Sequence, residues 1–144
     1  MAASASLTWA PVEWIDPNGG IIRFWPFLPN VVYSSSLRRT EGEWNGVAFL
    51  LPDDEAEIWD SQAEEERASP GINRDAVISS GGTLARMMLG MSTIESIQTC
   101  KFPDPEPRRI FQAAISPSGK GPRSVFFIEP NDEEWTEWVE DCAD

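Results

Sequence analysis

Carboxylates are the only side chains in this sequence numerous enough to supply acid–base or metal chemistry: 24 Asp and Glu stand beside 11 Lys and Arg, with no histidine. The missing imidazole removes Ser-His-Asp and Cys-His nucleophile activation and every His-containing zinc site. Cys100 and Cys142 are the only cysteines, so neither a Cys₄ site nor a CxxC pair can form. Lys101 and Lys120 are the only lysines, and neither has flanking residues that would bury an amine and lower its pKa. Gly119-Lys120-Gly121 lacks the first glycine of a phosphate loop and has glycine where the magnesium-binding Ser or Thr belongs. Gly81-Gly82-Thr83 lacks the GxGxxG spacing, and Asp53-Asp54-Glu55 lacks the alternation and glycine of an EF-hand. Two suitably placed carboxylates suffice for glycoside hydrolysis, but 24 candidates single out no pair. The expectation is a non-catalytic protein without a cofactor or metal, and a carboxylate-based hydrolase ranks lowest among three readings.

The position of the charge is more informative than its total. Residues 53–66 hold eight carboxylates, residues 129–144 hold eight more, and neither stretch has a basic residue. The remaining eight carboxylates stand against all 11 cations, so the body of the chain is near neutral. Both stretches read as amphipathic helices, at about 53–67 and 132–142. In the second, Asn131 and Glu134 have capping-box spacing. Trp135, Trp138, Val139 and Cys142 follow at i, i+3, i+4 and i+7, forming one apolar stripe. Its late acids oppose the helix dipole, so this helix is expected to be docked against something. In the first, Asp53 follows Pro52 as a cap, and the apolar stripe leans on Trp59 with help from Ile58.

These helices need a frame. Leu7–Ile15 and Ile21–Trp25 read as strands around an Asp16-Pro17-Asn18-Gly19-Gly20 turn. Val31–Tyr33 and the apolar Trp44–Leu51 read as further strands. Ala76–Ser80 reads as a short strand and Thr83–Met91 as a helix. Residues 93–100 carry conflicting signals: Ser92 and Glu95 have capping-box spacing, while Thr93, Ile94, Ile97 and Thr99 favour a strand. The prolines of Phe102–Pro107 predict an extended polyproline-like segment. Arg109–Ile115 and Ser124–Ile128 then read as a hairpin with a basic tip. The expected fold is a single α+β domain over 1–144, a mostly antiparallel β-sheet packed with the two acidic helices.

The longest uninterrupted apolar run is Val47–Leu51, far short of the roughly 18 residues a membrane helix needs. The first residues resemble no secretory signal, so the expectation is an intracellular protein, cytoplasmic or nuclear, with particle association left open and with reduced thiols. The acidic field disfavours direct nucleic-acid binding, despite local Arg38-Arg39, Arg108-Arg109, Lys120 and Arg123. What survives is a protein-binding role. The leading reading is an accessory or structural component docked on a larger assembly, such as a viral or other particle surface protein. Its alternative is an acidic inhibitor of a basic or nucleic-acid-binding protein, of the immunity, anti-defence or DNA-mimic type. Candidate partner-binding residues are Glu64, Glu65, Glu66, Glu133, Glu134, Glu137, Arg38, Arg39, Arg108 and Arg109. The oligomeric state is left open.

Overall fold

The computed structural model describes residues 10–33, 44–91, 97–98, 100–116 and 123–142. Helix and strand are mixed, so the α+β class holds. The mostly antiparallel sheet does not. Among the described residues there are three separate two-stranded ladders, and one of them is parallel. No described helix is long and apolar enough to cross a membrane.

The first ladder is the expected hairpin. β1 (Val12–Ile15) and β2 (Ile21–Phe24) pair antiparallel, with Val12 opposite Phe24 and Ile15 opposite Ile21. The turn closes by two backbone bonds: the Asp16 N–H donates to Gly20 O at 2.7 Å, and the Gly19 N–H donates to Asp16 O at 2.9 Å. A second antiparallel ladder joins β3 (Val32–Tyr33) to β5 (Ile97–Gln98). Residues 97–98 are thus strand, while 92–96 and 99, with the capping signal of Ser92 and Glu95, lie outside the described residues. Asn30 precedes β3 in the left-handed region, which asparagine tolerates better than most residues. Its Nδ2 donates to Lys101 O at 2.9 Å, and the Lys101 N–H donates to Asn30 O at 3.0 Å.

The third ladder departs most from expectation. β4 (Gly46–Phe49) pairs in parallel with β6 (Ser124–Phe127), so residues 109–115 form no hairpin with 124–128. Gly46 permits the close approach, since a Cβ there would sit 3.0 Å from Ser124 O. A parallel pair needs a long crossover. Here it runs through α1 (Glu55–Ala68), α2 (Ile72–Ser80), α3 (Thr83–Met91), β5 and α4 (Pro105–Ile115).

α4 replaces both the extended proline segment and the strand expected after it. Its prolines do not oppose a helix because of where they fall. Asp104 is the N-cap, and Pro105 and Pro107 occupy the first turn. Backbone N–H groups there have no acceptor within the helix, so proline loses nothing by lacking one. α2 likewise replaces the short strand expected at 76–80. Its N-cap is Gly71 at φ 89°, a left-handed conformation that glycine adopts without steric cost.

The core is built where these elements meet. Phe49 of β4, Trp59 of α1, Phe111 of α4 and Phe127 of β6 form a closed ring of aromatic contacts. Centroid separations are 6.2 Å for Phe49–Trp59, 5.8 Å for Trp59–Phe111, 6.0 Å for Phe111–Phe127 and 5.5 Å for Phe49–Phe127. Such pairs contribute roughly 0.5–1.5 kcal/mol each beyond the area they bury. On α3, Ala85, Met88 and Met91 form the buried stripe. α5 (Asp132–Asp141) follows β6 and completes the described chain up to Cys142.

Candidate functional site

α5 starts as the sequence predicts. The Glu133 and Glu134 N–H groups donate to Asn131 Oδ1 at 3.1 and 3.0 Å, and the Asn131 N–H donates to Glu134 Oε2 at 3.0 Å. This is a complete capping box, satisfying donors that a helix start leaves open. The Asn131 side chain also reaches α1's approach: its Nδ2 donates to Asp53 Oδ1 at 3.0 Å. The root of α5 is therefore tied to the body.

Beyond that root the helix stands uncovered. Trp135 is 56% exposed and Trp138 59% exposed, and Val139 is similarly open. The two indoles lie 6.0 Å apart, centroid to centroid, and with Val139 and Cys142 they line a shallow groove of about 270 Å³. No other described element packs extensively on α5. Glu133, Glu137, Glu140 and Asp141 are exposed beside this stripe, and no ion pair ties them to another described residue. The surface therefore has an apolar centre and a carboxylate border. Chemically it can bury tryptophan against an apolar partner and attract cations around the edge.

The acidic face of α1 divides into two parts. Glu64 and Glu65 are exposed. Glu66 is engaged within the chain, accepting from the Gly71 N–H at 2.7 Å, the Asn73 N–H at 3.1 Å and Asn73 Nδ2 at 3.2 Å. It closes the α1–α2 turn, and the Gly71 N–H foremost holds its carboxyl below the ordinary value. Glu134 is similarly occupied by the capping box, though its side chain remains at the surface.

The arginines are engaged too. Arg109 pairs with the buried Glu106 at 2.8 Å, and Arg108 reaches Asp60 at 3.4 Å. With Lys101, Phe102, Pro103 and Val32 they line an open groove of about 340 Å³ beside α4. Behind this region Asp104 is buried, with Oδ1 lacking a hydrogen-bond partner. Burial pushes its carboxyl up to about 6, against an ordinary 3.8, and the N–H groups of Asn30 and Glu106 only partly offset this. Glu55, at the start of α1, is raised in the same direction, chiefly by burial. Among the described residues no group of Asp, Glu or Cys is arranged to hold a metal ion. Arg38, Arg39 and Lys120 lie outside the described residues.

The candidate residues are thus not one site. Glu133 and Glu137 border the apolar stripe of α5, Glu64 and Glu65 lie exposed on α1, and Arg108 and Arg109 belong to the groove at α4. Sequence reasoning did not anticipate the buried Asp104 or the exposure of the β1–β2 hairpin. The first had a signal in Asp104-Pro105, a capping residue followed by proline at the first helical position. The second had one in the apolar alternation of Val12 and Trp14. Comparison with known proteins finds no family, curated protein or solved structure that the chain matches.

Proposed function

We propose that this chain is a non-catalytic protein-binding module, an accessory or structural component that docks on a larger protein assembly through α5. The observation that carries this reading is the uncovered stripe of Trp135, Trp138 and Val139 on a well-capped helix. An amphipathic helix gains most of its stability from covering its apolar face. Here two tryptophans, among the residues that most often anchor interfaces, remain open to solvent on a helix whose start is already fixed. A helix laid into an apolar groove is a common mode of protein recognition.

The test is the company the chain keeps in its native source. Size-exclusion chromatography at about 0.15 M salt, where surface charges are screened beyond roughly 8 Å, should recover it with a larger particle. A Trp135→Lys/Trp138→Lys variant should elute as the free chain. Recovery of the unaltered protein only in free form would overturn the reading.

A second reading rests on the exposed Glu64 and Glu65 of α1 and Glu133 and Glu137 of α5, none of which is ion-paired with a described residue. In it, these carboxylates enter a basic cleft and inhibit the protein that bears it. Salt separates the two. Charge-driven inhibition weakens steeply as salt rises, whereas docking centred on tryptophan persists.

A further inference from the structure

The hairpin β1–β2 has an uncovered apolar face of a different kind from α5. Residues opposite one another in an antiparallel pair point to the same side. The register therefore places Val12, Phe24, Trp14 and Ile22 on one face, in two rows: Val12 beside Phe24, and Trp14 beside Ile22. The other face holds the Glu13–Arg23 salt bridge and the Ile15–Ile21 pair. All four residues of the first face are about half exposed or more, and no other described element packs extensively on the hairpin. Arg23 reaches beyond the hairpin, its guanidinium 5.1 Å from the centre of the Trp44 ring. A lone two-stranded hairpin is marginal in water and needs a further layer on its apolar face.

We propose that this layer is the same face of a second copy, packed across a two-fold axis. Charge is the first argument. The face carries no ionisable group, because the register puts Glu13 and Arg23 on the opposite side, where they pair with each other. Asp16 sits in the turn, where it accepts the Asn18 N–H at 2.7 Å. Nothing on this face repels its own copy. α5, with carboxylates alone beside its stripe, would repel a second α5, so the two uncovered faces select different occupants.

Shape is the second argument. A two-fold interface must be complementary to itself. With the axis parallel to the strands, β1 of one copy lies over β2 of the other. Val12 then meets Phe24 of the second copy, and Trp14 meets its Ile22. Each aromatic ring falls on an aliphatic side chain, the alternation of large and small that lets facing layers interdigitate. The strands would run nearly aligned, as in packed sheet pairs. The four side chains offer on the order of 400 Å² per copy, about half the contribution of a standard interface, so the pairing is weak and concentration-dependent. This inference does not depend on what α5 binds.

Sedimentation equilibrium of the full chain from about 1 to 500 μM tests it. The unaltered protein should pass from one to two chain masses across this range. Trp14→Glu and Ile22→Lys should each raise the dimer dissociation constant at least tenfold. A one-to-one mixture of these two variants should recover dimer, because the altered positions face one another across the axis. Ile15→Lys on the opposite face, and Trp138→Lys on α5, should leave the dissociation constant within about twofold. A monomer throughout, equal loss in Ile15→Lys, or no recovery in the mixture would each overturn the proposal.

Discussion

α1 and α5 are both acidic, both start within three residues of a proline, and both place tryptophan on their apolar side. Yet Trp59 is 1% exposed, while Trp135 and Trp138 remain more than half open. The reason lies in what the rest of the chain supplies. Phe49, Phe111 and Phe127 come from three other elements and close around Trp59. α5 follows after that ring is complete, and among the described residues its recognisable anchor is its root, held by Asn131 and Asp53. Amphipathic spacing identifies the face of a helix that should be covered. It carries no information about whether the cover belongs to the same chain.

The contrast can be broken most directly at the tryptophans. Trp59→Ala should cost about 3–5 kcal/mol in urea unfolding, the usual penalty for emptying a large aromatic site. Trp138→Ala should cost less than about 0.5 kcal/mol, as an exposed substitution does. Comparable losses at both sites would show that α5 is covered in solution.

The next largest effect concerns the packing beneath α1 and α4. Asp104 binds its proton more tightly in the folded chain, at about 6 against 3.8. Between those values the native state holds a proton that the unfolded chain has lost, so stability falls as pH rises through the window. At roughly 1.4 kcal/mol per unit the shift corresponds to about 3 kcal/mol at most. Unfolding free energy measured at pH 5 should exceed that at pH 7.5 by about 1–2 kcal/mol, with Glu55 contributing in the same direction. Asp104→Asn should flatten this slope. Glu66 has the opposite sign, since its carboxyl is lowered: its contribution is present above the ordinary Glu value and is lost as pH falls through the lower folded one.

Smaller effects separate structural carboxylates from free ones. Glu66→Gln should cost about 1 kcal/mol by weakening the bonds at the α1–α2 turn. Glu64→Gln and Glu65→Gln should change stability by less than about 0.5 kcal/mol. Asn131→Ala should cost about 1 kcal/mol through the lost cap. Because Asn131 caps α5 and ties its root to Asp53 but touches none of the four ring residues, its loss should lower helicity measured by circular dichroism while leaving the near-ultraviolet signal of the aromatic ring nearly unchanged.

How much of this was legible in the sequence follows from how local each signal is. The capping box and stripe of α5 lie within a dozen residues, and the β1–β2 turn within five, so both could be read directly. α2 was misread because Val77 and Ile78 suggest a strand, while its start depends on Gly71 and on Glu66 in the preceding helix. α4 was misread because Pro105 and Pro107 look extended until Asp104 is recognised as the cap that puts them in the first turn. The β4–β6 pairing has no local signature, since a parallel ladder is specified by the crossover between its strands. At the candidate site, α5's apolar stripe and acidic border were legible. The internal engagement of Glu66, Arg108 and Arg109 depends on neighbours brought together by folding.

The parallel pairing of Phe49 with Phe127 also governs the order in which this chain can fold. The two residues are about eighty positions apart, so their contact closes a loop containing most of the helical structure. The entropy of closing such a loop must be met before the contact returns any energy, which slows folding. The β1–β2 turn and the α5 cap need no such closure and can form within microseconds. An amide on β4 should therefore become protected from hydrogen exchange only in step with its partner on β6, making the distant ladder, rather than the nearby hairpin, the element that reports completion of the fold.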